Sequence, residues 1–150
     1  MKPWVVVCTR TSQLTGEDIG QQILKLENWP EFQGYGPLPG IAEAHFETRT
    51  ADVIGTRIRV RNRDGSTHVE EIVEWNPADR ITLEMKEFSR PLSFFASRFI
   101  ERWEFARSGD ETSIRRSIEL QHRSVFGWLF LGMISGFLRK ALNRHLQQVA

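Results

Sequence analysis

The stretch VFGWLFLGMISGFLRKALNRHLQQV, residues 125–149, decides how the rest of the chain must fold. It contains no proline, so we predict a single helix of about seven turns. Its first half is apolar on nearly every side, whereas Leu138, Leu142 and Leu146 share one face of its second half. We expect this helix to lie against a sheet that the preceding residues form.

Residues 41–122 supply that sheet. From residue 41 onward the apolar period changes from helical to two, which is typical of strands with one buried face. Strands are predicted near residues 41–49, 55–62, 66–75, 80–87, 98–107 and 111–122, in addition to a first strand at 4–9. Short turns separate them, and Asp64-Gly65 is a strong hairpin signal, so the strands should form an antiparallel meander.

Two short helices are predicted between the first strand and this meander. Thr15 suits an N-cap, and Glu17 and Asp18 follow it in the first turn, where the helix dipole favours acidic side chains. In the segment NWPEF at 28–32, Pro30 suits the first turn of the second helix. The sequence therefore predicts one α+β domain over residues 1–150, a curved antiparallel sheet of about seven strands around a long C-terminal helix.

Composition and motifs argue against several classes of function. The net charge is +1, which favours no attraction to nucleic acid. The single cysteine, Cys8, precludes an internal disulfide and argues against a cysteine-based zinc site. The sequence contains no phosphate loop, nucleophile elbow or paired metal ligands, so we expect neither a metal nor a cofactor.

The sequence also predicts no membrane span and a cytoplasmic location. The apolar part of the N-terminal run MKPWVVVCTR is too short for a signal peptide, and no small-residue cleavage site follows it. The longest apolar stretch, residues 125–138, has about 14 residues, whereas a helix needs about 20 to cross a bilayer.

The register of the hairpin at Asp64-Gly65 indicates which of its side chains face inward. If these two residues form the turn, Ile58 lies opposite Glu71 on an otherwise apolar inner face. The arginines of residues 57–63 then fall on the outer face, where Arg59 lies opposite Glu70 and Glu74 is nearby. Opposite charges paired across strands are typical of a solvated sheet face, which explains these arginines better than nucleic-acid binding.

The last hairpin carries a more informative pair. With Ser108-Gly109 as its turn, Glu101 lies opposite Arg116 on an inner face that also holds Phe99, Trp103 and Phe105. Buried charges need a partner, water or a ligand. Two interpretations remain open: a structural ion pair, or a pair that lines a wet pocket and orients a polar group of a ligand.

The order of these elements resembles the START-like superfamily, also called SRPBCC, which includes polyketide cyclase/dehydrase-type proteins. GTRIRV at 55–60 before Asp64-Gly65 is similar to the second hairpin of that superfamily, and EEIVEWNP at 70–77 is similar to the strand and turn that follow. FIERWEF at 99–105 with TSIR at 112–115 resembles its closing hairpin. The resemblance covers essentially the whole chain and implies a helix-grip fold, with a cavity between the sheet and the long helix.

The resemblance also implies a function. Members of the superfamily bind lipids, sterols, polyketides or other apolar molecules, and a minority are enzymes without a universal catalytic residue. We therefore expect a binding protein for a small, mostly apolar, lipid- or polyketide-like molecule. The predicted ligand-binding residues are Phe46, Glu71, Phe99, Glu101, Trp103, Phe105 and Arg116.

Two alternatives to simple binding stay open. In the first, the chain is a cyclase- or dehydratase-type enzyme in which Glu71 or Glu101 acts as general acid or base, with a pKa raised by burial. In the second, it is an interaction protein whose cavity is filled by its own side chains.

Overall fold

The computed structural model describes all residues from 1 to 150. The strands are β1 (Trp4–Ser12), β2 (Gly34–Tyr35), β3 (Leu38–Pro39), β4 (Ile41–Thr48), β5 (Arg57–Asn62), β6 (Thr67–Asn76), β7 (Arg80–Lys86), β8 (Ala96–Ser108) and β9 (Glu111–His122). The helices are α1 (Gly16–Ile23), α2 (Leu92–Phe95) and α3 (Val125–Val149), and a 3₁₀ helix spans Leu26–Glu31. This order confirms the predicted α+β architecture, with α2 and the β2–β3 ribbon as small additions.

Seven strands form one antiparallel sheet in the order β1-β9-β8-β7-β6-β5-β4. The strands from β4 to β9 are the predicted meander, and β1 joins it by pairing with β9. The sheet curves around α3 as a helix-grip fold, so that buried residues of the helix and of the sheet share one core. We call the side of the sheet toward α3 the inner face and the opposite side the outer face.

Helix α3 begins where the sequence predicts. The Ser124 hydroxyl caps it by accepting a hydrogen bond from the Gly127 N–H at 3.1 Å. By length and composition α3 could cross a membrane, since an 18-residue window of it has a mean hydropathy of 1.4. Here it is the core helix of the fold, because its buried residues Leu131 and Leu142 pack into the sheet.

The two short helices after β1 are confirmed, and each has a local cause. Thr15 and Asp18 form a capping box at α1: the Asp18 N–H donates to the Thr15 hydroxyl at 3.1 Å, and the Thr15 N–H donates to the Asp18 carboxylate at 2.9 Å. The second helix, which contains Pro30, is a 3₁₀ helix rather than an α-helix. The Trp29 indole N–H donates to the Ile23 carbonyl at 2.9 Å and so holds the two helices together.

The predicted register of the β5–β6 hairpin is wrong by one residue. The Asn62 N–H donates to the Ser66 carbonyl at 2.8 Å, and the Gly65 N–H donates to the Asn62 carbonyl at 3.0 Å. The loop therefore has three residues rather than two, and Gly65 takes a positive φ of 89° that glycine adopts without strain.

This one-residue change exchanges the faces of β6. Ile58 lies opposite Glu70 instead of Glu71. Because side chains alternate along a strand, Glu70 and His68 now point inward, while Glu71 lies on the outer face. The predicted inward position of Glu71 is thus incorrect.

The predicted register of the last hairpin is wrong by two residues, which leaves the faces unchanged. Ser108 pairs with Glu111, so Gly109-Asp110 forms the turn. Glu101 lies opposite Ile118, and Trp103 lies opposite Arg116. Glu101 and Arg116 both point inward as expected, but they are diagonal neighbours.

Candidate functional site

A cavity of about 410 Å³ lies between the inner face of the sheet and α3. Of the 36 residues that line it, 19 are hydrophobic, which suits a mostly apolar occupant. The sheet contributes Leu83, Phe99 and Ile118, and the helix contributes Ile134, Leu138 and Leu142.

The cavity reaches the surface beside the middle of α3. One turn before that point the Phe95 ring of α2 stacks on Phe130 at 4.5 Å between centroids, and one turn after it Tyr35 of the β2–β3 ribbon contacts Phe137. Met133 lies between these two contacts, lines the cavity and is 61% exposed. Six exposed residues line the cavity, and two of them, Glu31 and Asp64, are acidic; we call the other four, Pro37, Arg90, Pro91 and Met133, the cavity mouth.

A polar cluster, Glu101, Arg116 and His145, interrupts the apolar wall. The Nε and Nη2 atoms of Arg116 each lie 2.7 Å from Oε2 of Glu101, and Nη1 donates to Nδ1 of His145 at 2.9 Å. The Arg116 guanidinium also lies over the Trp103 ring, with Cζ 4.3 Å from the ring centroid. A carboxylate, an imidazole and an aromatic face therefore compensate the buried guanidinium.

Burial shifts the protonation of this cluster. It raises the pKa of Glu101, and the neighbouring Glu70 carboxylate adds to that rise, while Arg116 opposes it. Burial and the Arg116 charge lower the pKa of His145 from 6.5 to about 3. His145 is therefore neutral near pH 7, and because its Nδ1 accepts from Arg116, its proton lies on Nε2.

A second polar pair, His68 and Glu70, lies on the wall formed by β6. His68 Nε2 and Glu70 Oε2 are 2.9 Å apart, and both residues are buried and line the cavity. The predicted two-residue turn at Asp64-Gly65 puts both side chains on the outer face, so neither was among the predicted site residues. A three-residue loop at residues 63–65, with glycine in the left-handed conformation, points both side chains inward, and Gly65 is the sequence signal that is compatible with it.

Four of the seven predicted site residues line the cavity: Phe99, Glu101, Trp103 and Arg116. The other three, Phe46, Glu71 and Phe105, do not. Phe105 belongs to the buried core, and the Arg49 guanidinium covers the ring of Phe46.

Glu71 lies in an outer-face ion network. Its carboxylate accepts from Lys86 at 2.8 Å and from Arg57 at 3.3 Å. Hydrogen bonding to Lys86 and Arg57 lowers the pKa of Glu71. The hypothesis that Glu71 is a buried acid or base is therefore incorrect, because its position and its pKa both oppose it. No group of three or more His, Cys, Asp or Glu side chains that could hold a metal comes together.

Comparison with known proteins supports the same architecture. A family model described as polyketide cyclase / dehydrase and lipid transport matches residues 3–150. A sequence comparison with curated proteins gives no match.

Solved structures share the fold. A protein from Thermus thermophilus has a TM-score of 0.70 at 16% identity, covering 97% of this chain and 94% of that one. A START superfamily protein from Mycobacterium smegmatis has a TM-score of 0.63 at 16% identity, covering 97% and 99%. Norcoclaurine synthase from Thalictrum flavum, solved with dopamine and hydroxybenzaldehyde, has a TM-score of 0.62 at 12% identity, covering 98% and 87%.

Proposed function

We propose that this chain, which belongs to the polyketide cyclase / dehydrase and lipid transport family, holds a small, mostly apolar molecule in the cavity between its sheet and α3. The observation that carries the proposal is a space of about 410 Å³ with mostly apolar walls, a compensated polar cluster at Arg116 and a second polar pair, His68 and Glu70. Apolar burial would supply most of the affinity, at roughly 25 cal/mol per Å². The polar cluster would fix the orientation of the molecule.

The N–H donors of the cluster that have no partner within it indicate which polar group the molecule carries. Arg116 carries five N–H groups, and three of them serve Glu101 and His145. The remaining two, together with the Nε2–H of neutral His145, are donors on the cavity wall. We infer a ligand whose apolar body carries a carbonyl or hydroxyl oxygen that accepts these bonds.

Native mass spectrometry of the freshly purified protein tests this function. We expect a co-purified mass that the Arg116→Met variant loses or binds more weakly. Arg115→Met is the matched control, because Arg115 is the next residue on the same strand but is exposed and pairs with Glu104 at 3.3 Å on the outer face. A crystal structure in which side chains fill the cavity would contradict the proposal and favour an interaction protein.

A second candidate function is acid–base catalysis by Glu101. Its support is a carboxyl group on the cavity wall whose pKa burial raises, which is how proteins prepare a general acid or base for work near neutral pH. A fold neighbour, norcoclaurine synthase, shows that this architecture accommodates an enzyme. Incubating the co-purified molecule with the protein and following its mass tests the idea. Loss of conversion with retained binding in Glu101→Gln would favour catalysis, and no conversion by the wild type would exclude it for that molecule.

A further inference from the structure

Five large apolar side chains stand exposed on one side of the molecule, on α2 and on the first half of α3. Their exposed fractions are 58% for Phe94, 56% for Val125, 77% for Phe126, 56% for Leu129 and 61% for Met133. We call this set the apolar ridge. Single exposed apolar residues are ordinary, but a contiguous group of this kind marks an interaction surface.

The ridge is one surface because α2 is fixed against α3. Phe95 stacks on Phe130, and Gly127 packs so closely on the Phe95 carbonyl that no side chain would fit there. Phe126, Leu129 and Met133 are separated by three and four residues, so they share a face of α3. The ridge therefore runs along α3 from its first turn to Met133, where it reaches the cavity mouth.

The two segments that carry the ridge contain basic residues and no acidic ones, although Arg98 pairs with Glu84 of β7 at 3.1 Å. The chain carries 20 basic and 19 acidic residues, yet neither residues 88–100 nor residues 120–150 contain an aspartate or a glutamate. These two segments carry six cations, namely Arg90, Arg98, Arg123, Arg139, Lys140 and Arg144. Arg90 lies over the Phe94 ring at 5.4 Å, and Lys140 lies over the Tyr35 ring at 5.2 Å. Cations therefore border the apolar side chains at both ends.

We propose that the apolar ridge docks the protein on a membrane surface that bears anionic headgroups. Apolar side chains on one helix face, bordered by long cationic ones, are the pattern by which helices lie in the bilayer interface. The apolar groups enter the acyl boundary, while arginine and lysine reach the phosphates. Docking in this way brings the cavity mouth to the lipid, since Met133 belongs to both.

A second copy of the chain fits the ridge less well than a membrane does. A two-fold contact would bring the same patch of both copies together, and with it Arg90 and Lys140 of each copy. Like charges brought together at an interface disfavour association. Anionic headgroups complement these cations instead.

Vesicle flotation tests the proposal. We expect the wild type to bind vesicles of equal parts phosphatidylglycerol and phosphatidylcholine, and to bind pure phosphatidylcholine more weakly. The double variant Phe126→Ser/Leu129→Ser should bind the anionic vesicles at least about tenfold more weakly, because it removes two of the inserted side chains. Neither residue lines the cavity, so native mass spectrometry of this variant should still show the co-purified mass.

Two further variants separate the contributions. Ile54→Ser is the matched apolar control, because Ile54 is 48% exposed but lies in the loop between β4 and β5, and its binding should equal that of the wild type. Lys140→Gln should weaken binding to anionic vesicles by about fivefold, as expected for the loss of one cation near an anionic surface. Its binding to pure phosphatidylcholine should not change.

Two outcomes would overturn the proposal. One is a wild type that floats with neither kind of vesicle. The other is sedimentation that shows a dimer which the double variant converts to a monomer, together with no vesicle binding, because the ridge would then join two copies. Both outcomes leave the cavity proposal standing, since mass spectrometry tests that separately.

Discussion

Arg115 and Arg116 are neighbours on β9, yet they lie on the two opposite faces of the sheet. Arg115 pairs with Glu104 at 3.3 Å on the outer face, where its side chain is 48% exposed. Arg116 lies 2.7 Å from Glu101 on the inner face, with only 8% of its side chain exposed. Two neighbouring arginines therefore make the same kind of ion pair, one exposed to water and one buried in the protein. This difference in environment decides what each pair does.

Glu71 on the outer face and Glu101 on the inner face differ in the same way, because their pKa values shift in opposite directions. On the outer face, hydrogen bonds from Lys86 and Arg57 lower the pKa of Glu71. On the inner face, burial outweighs Arg116 and raises the pKa of Glu101. An ion pair in water thus stabilises the carboxylate, whereas the buried pair leaves a carboxyl group that holds its proton more readily. The inner face is therefore the one equipped for ligand recognition or proton transfer.

The largest expected effect comes from breaking the inner pair. Arg116→Met leaves the Glu101 carboxylate buried without its guanidinium, so the free energy of unfolding should fall by about 3–5 kcal/mol. Arg115→Met removes an exposed pair and should cost less than about 1 kcal/mol. Urea denaturation of both variants measures the two values at neutral pH. Equal losses would mean that the two faces do not differ as described.

The pH dependence of His145 should be the next largest effect. Its pKa falls from 6.5 to about 3 on folding, so between these pH values the unfolded chain binds a proton that the folded chain does not. Stability is therefore lost as the pH falls through this range, by up to about 1.4 kcal/mol per pH unit from this group. The variant His145→Asn should lack this part of the slope, as measured by urea denaturation at several pH values.

Two glycines of α3, Gly132 and Gly136, differ in whether the space beside them is filled. A Cβ at Gly132 would lie 2.7 Å from two indole carbons of Trp4, whereas one at Gly136 would meet nothing within 4 Å. Trp4 cannot move freely, because it stacks on Trp128 and donates its N–H to the Trp128 carbonyl at 2.8 Å. Gly132→Ala should therefore lower stability by about 1–3 kcal/mol.

Gly136→Ala should do the opposite, because it removes only the helix cost of glycine and should raise stability by about 1 kcal/mol. Thermal unfolding of the two variants measures both changes, the expected loss of stability in Gly132→Ala and the expected gain in Gly136→Ala. A loss of stability in both variants would show that Gly136 also needs its small size.

Part of the site could be predicted from the sequence because side chains alternate along a strand. A register error of two residues therefore leaves each side chain on its predicted face. The last hairpin was misregistered by two residues, and Glu101 and Arg116 still pointed inward. The β5–β6 hairpin was misregistered by one residue, and that single step exchanged Glu70 for Glu71. Loop length, which a dipeptide signal does not determine, was the missing quantity.

Other parts of the site carry no signal in a strand pattern. Alternation predicts the face of a residue but not its distance from the cavity, so Phe105 was placed on the wall although it lies in the core. His145 is not identified by the sequence, because its partner Arg116 is 29 residues away in the chain. The cavity volume depends on how all these side chains pack, and no local pattern encodes it.

The smallest effect, and the most specific, separates Glu70 from Glu71. The Glu70 carboxylate is close enough to raise the pKa of Glu101, whereas Glu71 lies on the other side of the sheet and bonds to Lys86. Glu70→Gln should therefore lower the pKa of Glu101, followed by carboxyl NMR, and Glu71→Gln should leave it unchanged. Because glutamine keeps an oxygen that can accept from His68, the change reports the lost charge rather than a lost hydrogen bond. An unchanged Glu101 in both variants would mean that burial alone sets its pKa, and that the two acids on the inner face act independently.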